Sequence, residues 1–278
     1  MKPVLIYHGN CRDGFGSRFA FWMKYGENME YVPASYGREC NVDFSNRDVF
    51  FADFSFDPDK MIEIKNKAKS LIIIDHHVSA ERKLANLKGV AYDEFVYDVN
   101  HSGAYLSWKY LFGDKNIPNL INCIEDYDIW RHSIKDSGKI LLYVDSFDYS
   151  EELWKTFITD LEPDSEKYND ILLQGSAIER FKNMTLSKIL PKEHKLMIGG
   201  FEVPAINSSW GFSELCGKIC IDKPFAAVYC WDVDRYVFSL RSDENGEDVT
   251  KIASIYGGGG HKRASGFSVP NLEKLKIS

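Results

Sequence analysis

The sequence predicts an α/β fold: a parallel sheet at the N-terminus and a smaller α+β domain at the C-terminus, joined by a helical connector. Three observations carry this. Short aliphatic runs recur at Val4–Tyr7, Val49–Ala52 and Leu71–Ile74 without polar alternation, as expected of strands buried on both faces. Helix-spaced apolar residues separate the runs, which implies crossover connections and hence parallel pairing. Near Lys195 the helix-rich, charged stretch gives way to a new α+β pattern.

Taken in order, Val4–Tyr7 reads as a buried strand ending at His8. Asp13-Gly14 then turns into a helix carrying Phe15, Phe19, Trp22 and Met23. Met29–Val32 and Val49–Ala52 are the next two strands, the latter ending at Asp53. Pro58 can open a helix whose buried face is Met61, Ile64 and Ala68. Leu71–Ile74 is the fourth strand, ending at Asp75. After the segment Val90–Val99, Ser102 caps a helix with Ala104, Leu106, Trp108 and Leu111, and a further helix runs from Pro118 to about Asp126. The stretch from roughly 150 to 190 is helical. Beyond it come a strand Val203–Ile206, a helix from Ser213, strands Ala226–Trp231 and Tyr236–Leu240, and a helix Val249–Tyr256 leading into Gly257-Gly258-Gly259-Gly260-His261.

A chain of 278 residues with 44% apolar residues has material for two domains. The boundaries expected are 1–170 for the first, 171–194 for the connector and 195–278 for the second. The formal net charge of -7 argues against a grip on long nucleic acid, which needs an extended basic face. It favours small or short phosphate-bearing partners. Cys11, Cys40, Cys123, Cys216, Cys220 and Cys230 form no CxxC pair and read as the free thiols of a cytoplasmic protein. No apolar stretch approaches the ~20 residues that span a bilayer, so no membrane partner is expected.

His8, Asp53 and Asp75-His76-His77 each follow the end of an expected strand. Ligand crevices of open α/β sheets lie outside those ends. One such residue is most simply a helix cap; three strand ends delivering imidazole and carboxylate to one edge imply a site. Imidazole with carboxylate suits Mn, Fe, Zn or Co. Asp75 either ligates or orients a histidine from behind. The four glycines leave backbone N–H groups open to an anion, and His261, Lys262 and Arg263 add donors suited to phosphate.

Asp75-His76-His77 together with GGGGH resembles the DHH phosphoesterase superfamily and its C-terminal DHH-associated domain, over nearly the whole chain. His8-Gly-Asn10-Cys-Arg-Asp13-Gly resembles the first family motif, Ala52-Asp53 the second and Glu125-Asp126-Tyr-Asp128 the fourth; Phe238–Ser242 with GGGGHKRASGF is similar to the usual C-terminal ending. The resemblance implies a metal-dependent phosphodiesterase for short oligonucleotides or dinucleotides, linear or cyclic. The alternatives are a nucleotide phosphomonoesterase, a single-strand exonuclease, or a nucleotide-binding sensor with weakened catalysis. It implies two divalent ions, most often Mn, with Mg, Co or Fe as alternatives. Asp53 would bridge them, His8 would bind the first, and Asp13, His76 and Asp126 the second, with Asp128 the alternative to Asp126. His77, backed by Asp75, would face the phosphate. Arg241, Gly258, Gly259, Gly260 and His261 would hold a substrate phosphate. The chain departs from the family in one place: the first motif usually carries two aspartates two positions apart, and here only Asp13 is present, beside Asn10, Cys11 and Arg12, which leaves the first metal short of a ligand.

Overall fold

The structure is a computed structural model and describes residues 1–9, 11–38 and 40–275; Asn10 of the first motif lies outside them. It divides into two compact units, Met1–Glu179 and Arg180–Ser278.

The first unit holds β1 (Val4–His8), α1 (Arg12–Tyr25), β2 (Glu30–Ala34), β3 (Asp48–Ala52), α2 (Pro58–Lys67), β4 (Ser70–Asp75), α3 (Val78–Leu84), β5 (Glu94–Tyr97), α4 (Gly103–Phe112), α5 (Asn119–Asp128), α6 (Ser137–Val144) and α7 (Glu151–Asp160). Among the described residues the strands form one five-stranded sheet in the order β2-β1-β3-β4-β5, parallel throughout. Alternate residues of each run enter different cores. Val4, Ile6, Val49, Phe51, Leu71 and Ile73 face Met61 and Ile64 of α2 and Leu84 of α3. Leu5, Phe50, Ala52 and Ile74 face Phe21 of α1 and Leu106 of α4. Both faces are therefore covered, which is why the runs show no alternation. Burying each Phe, Ile or Leu contributes roughly 1.5–3 kcal/mol. Behind α1 and α4 a further helical core gathers Phe15, Phe19, Trp108, Ile121, Ile124, Leu141 and Trp154. The chain leaves β1 for β2 on one side and returns as β3 on the other. The strand order thus reverses between β1 and β3, the place where open α/β sheets bind ligands.

The boundary between the units falls inside α8 (Tyr168–Ile189). The second unit continues with β6 (His194–Ile198), β7 (Phe201–Asn207), α9 (Phe212–Ile219), β8 (Ala226–Asp232), β9 (Arg235–Arg241), α10 (Val249–Ile255), β10 (Gly259–His261) and β11 (Ala264–Val269). Its sheet, six-stranded among the described residues, runs β10-β11-β9-β8-β7-β6, antiparallel except for the β7–β8 pair. No helix among the described residues is long and apolar enough to cross a membrane.

Candidate active site

The reversal point of the first sheet is where the polar strand ends meet. His8 closes β1 and Asp53 follows β3; His8 Nδ1 lies 3.4 Å from Asp53 Oδ2. Cys11, the residue capping α1, places Sγ 3.3 Å from His8 Nδ1 and 3.5 Å from Asp53 Oδ2. Asp53 itself is buried and left-handed, with φ 55°. Asp tolerates this conformation better than most side chains, and such backbone strain gathers at functional sites. Two glycines make the close approach possible. A Cβ on Gly14 would stand 2.0 Å from the His8 carbonyl oxygen, and one on Gly103 would stand 2.6 Å from Asp53 Cβ.

Beside this group, His76 Nε2 is ringed by three carboxylates: Asp53 Oδ1 at 3.3 Å, Asp13 Oδ2 at 3.5 Å and Asp128 Oδ2 at 3.5 Å. Asp13 is anchored from the other side, where its two oxygens accept the Gly103 and Ala104 backbone N–H groups at 2.7 Å each. These are first-turn donors of α4, so the carboxylate also meets the positive end of that helix.

The structure brings Asp128, and not Asp126, to this cluster. Asp126 Oδ1 accepts from Ser133 N at 2.7 Å and Ser133 Oγ at 2.8 Å; Oδ2 accepts from Ile134 N at 3.2 Å and Ser137 Oγ at 2.9 Å. Its carboxylate is spent on fixing the loop after α5. The physical reason is helical geometry: residues two apart point about 200° from each other. Ile124 on α5 lies over Gly16 of α1, since a Cβ there would be 3.4 Å from Ile124 Cδ1. One turn beyond Ile124 is Asp128, delivered to the start of α1 beside Asp13.

Asp75 stands behind His77. Its Oδ1 accepts from His77 Nδ1 at 2.7 Å, His76 N at 2.7 Å and His77 N at 3.1 Å, while Oδ2 is buried and accepts no hydrogen bond. His77 Nδ1 is also 3.7 Å from Asp53 Oδ1. His101, by contrast, is held by Glu125 at 2.9 Å and stacked on Tyr105.

In the second unit, Arg241 and His261 stand opposite the same β11 residue, Ala264, and so share a level across the sheet. Arg241 donates to Ser213 Oγ at 2.7 Å and to its neighbour's carbonyl, Leu240 O, at 2.8 Å. The glycine run is part of a β-hairpin rather than an open loop. A Cβ on Gly258 would stand 2.1 Å from Gly266 O, and one on Gly260 would stand 2.6 Å from Ala264 O. Close packing on β11 thus accounts for two of the four glycines, a requirement separate from anion binding.

The charges of the first cluster are strongly coupled. Burial opposes a charge on His76, yet Asp53, Asp128 and Asp13 push its pKa up. Burial also raises Asp13, reinforced by the charges of Asp53 and Asp128. For Asp53 burial is outweighed by His76, His8 and His77, which hold it well below the usual carboxylate range. Asp53 Oδ1, though facing imidazoles, accepts no well-formed hydrogen bond. A buried, orphaned carboxylate oxygen among carboxylates that draw positive charge fits a divalent cation, and the mixed nitrogen and oxygen donors suit a transition metal. Three groups in this unit have ligand atoms all within 4.8 Å of one another: His8, Cys11 and Asp53; Asp13, His76 and Asp128; and Asp53, Asp75 and His77.

Imidazoles and carboxylates gathered at the reversal point of a parallel sheet make a candidate divalent-metal centre. No family model matches the chain. It is 30% identical over 298 residues to an uncharacterized protein of Acanthamoeba polyphaga mimivirus, covering 97% of this chain and 68% of that one. It is 25% identical over 302 residues to the oligoribonuclease NrnB of Bacillus subtilis, covering 95% and 72%. In fold it is similar to PggH, a pGpG-specific phosphodiesterase of Vibrio cholerae, with a TM-score of 0.50 and 12% identity over 97% of this chain and 94% of that chain. The chain belongs to the DHH superfamily and is a phosphoesterase.

Proposed function

We propose that this enzyme hydrolyses phosphodiester bonds in short oligonucleotides or dinucleotides, using two divalent metal ions. The observation that carries the proposal is the convergence of His8, Asp13, Asp53, His76 and Asp128 around the buried Asp53, whose Oδ1 accepts no well-formed hydrogen bond among the described residues. His8 and Asp53 would hold one ion and Asp13, Asp53, His76 and Asp128 the other, with Asp128 in place of Asp126. Bound there, the ions supply Lewis acidity toward a phosphoryl oxygen and acidify water. Asp75 fixes His77 through Nδ1, and burial's opposition to the His77 charge is outweighed by Asp75, so its pKa is raised. Oriented by Asp75, His77 would, when protonated, be a donor to a phosphate oxygen or to the departing alkoxide. In the metal-free site the His76, His8 and His77 imidazoles outweigh burial and favour the ionised form of Asp53, and bound cations would favour the same form. Arg241, His261 and the glycine hairpin supply an anion-binding surface in the second unit, with guanidinium geometry suited to phosphate.

The similarity to NrnB and PggH supports short nucleotide substrates, as does the net charge of -7. The test is incubation with Mn and a panel of 2- to 24-nucleotide RNA and DNA oligomers, cyclic dinucleotides and nucleoside monophosphates, with Asp53→Asn as control. Cleavage concentrated on the shortest diesters is expected. Release of phosphate from monophosphates alone, or even digestion of the longest oligomers, would replace the proposal with a phosphatase or an exonuclease.

A further inference from the structure

We propose that Cys11 is a thiolate ligand of the ion held by His8 and Asp53, so that this position prefers a thiophilic metal such as Zn, Co or Fe over Mn or Mg. The inference rests on the two-metal reading above and adds a sulfur to it. Three donor atoms of three chemistries converge: Cys11 Sγ, His8 Nδ1 and Asp53 Oδ2, at 3.3 to 3.5 Å from one another. The fold takes trouble to put the sulfur there. Gly14 has no room for a side chain against the His8 carbonyl, so the first turn of α1 sits directly on the end of β1. Cys11 is the N-cap of that turn, and its Sγ accepts the Gly14 N–H at 3.2 Å. Ser, Thr, Asp or Asn would cap the helix better, because a thiol sulfur is a weak acceptor. A cysteine at this position is the weaker cap, and its sulfur faces His8 Nδ1 and Asp53 Oδ2. The position is also two residues before Asp13, whose carboxylate serves the neighbouring cluster. On ligation the thiol proton passes to solvent and the sulfur lone pair forms the bond; no oxidant or reductant is required. The chain would then present one softer and one harder metal position side by side.

The full chain is stripped with chelator and reloaded with Co(II), and metal content is measured beside the near-ultraviolet spectrum. Wild type should show a sulfur-to-cobalt charge-transfer band that is missing in Cys11→Ser and Cys11→Asp. Serine is the better cap, so Cys11→Ser retains α1 and keeps the comparison interpretable. With Zn and Mn supplied together, the Zn-over-Mn preference of the first position should fall about tenfold or more in Cys11→Asp. Cobalt held at two ions per chain without the band, or an unchanged preference in Cys11→Asp, would overturn the inference while leaving the two-metal reading intact. No cobalt retained by wild type would overturn both.

Discussion

The contrast between Asp126 and Asp128 makes the sharpest test of the site. Asp126→Ala removes a buried acceptor that holds two backbone N–H groups and two serine hydroxyls. Hydrogen bonds to a charged group contribute about 1.5–3 kcal/mol each, but bonds sharing one acceptor are not additive. Ser133 is exposed and Ile134 half-buried, so water can replace part of what is lost. A loss of about 2–4 kcal/mol follows, which in a unit of this size lowers Tm by roughly 5–15 °C. Asp128→Asn takes one negative charge from a cluster of carboxylates, where partial burial and the charge of Asp53 raise its pKa against the opposing pull of His76. Metal-free stability should be unchanged or higher, and metal content and turnover should fall. The pH dependence adds a second reading. Burial works against the ionised Asp126, but Ser133, Ser137 and Ile134 hold its pKa below the ordinary carboxylate value. A depressed folded pKa means stability that is present above the unfolded pKa and lost as pH falls through the folded one. The Tm gap between wild type and Asp126→Ala should therefore be constant above about pH 5 and close in acid. Scanning calorimetry across pH, with elemental analysis of both variants, checks this. A metal-depleted, normally stable Asp126→Ala beside a metal-replete Asp128→Asn would refute the assignment.

Gly103→Ala should lose most activity, because its Cβ would push Asp53 away at 2.6 Å; steady-state kinetics with a folded circular dichroism spectrum would show it, and wild-type turnover would contradict the packing argument. EDTA should abolish activity, with Mn restoring it better than Ca, since imidazole donors discriminate against a large, hard ion. His261→Ala should lower kcat/KM by roughly 10- to 200-fold through KM, the equivalent of one charge-assisted hydrogen bond, with metal content unchanged. Loss of a bound ion in that variant would make His261 a ligand instead.

Strand ends were the legible part of this sequence, because an aliphatic run that stops at a polar residue marks both the strand and what it delivers. That placed His8, Asp53 and Asp75–His77 on one edge, and Ser102 as the cap of α4, whose side chain accepts from Tyr105 N. β5 was not legible: Glu94–Tyr97 is a short edge strand, covered less completely than its neighbours. α6 hides in Ile140–Val144, an apolar run with no period of its own. The choice of Asp128 over Asp126 was open to helix-phase reasoning. Ile121, Ile124 and Asp128 fall on one stripe of α5, whereas Asp126 points away from it. The β10–β11 hairpin was obscured because glycines demanded by backbone contact look the same in sequence as glycines demanded by a ligand.

The left-handed backbone at Asp53 limits what can ever stand there. Asn and Gly enter that conformation cheaply, whereas Ala or a branched side chain would strain the end of β3 by about 1 kcal/mol or more. Asparagine keeps the shape and the backbone and discards only the charge. Drift at this position is therefore channelled: a descendant that stops cutting while keeping its architecture has an easy exit through Asn, and few others. The same channel is useful at the bench, since an Asp53→Asn protein is the natural trap for holding an uncut substrate in place.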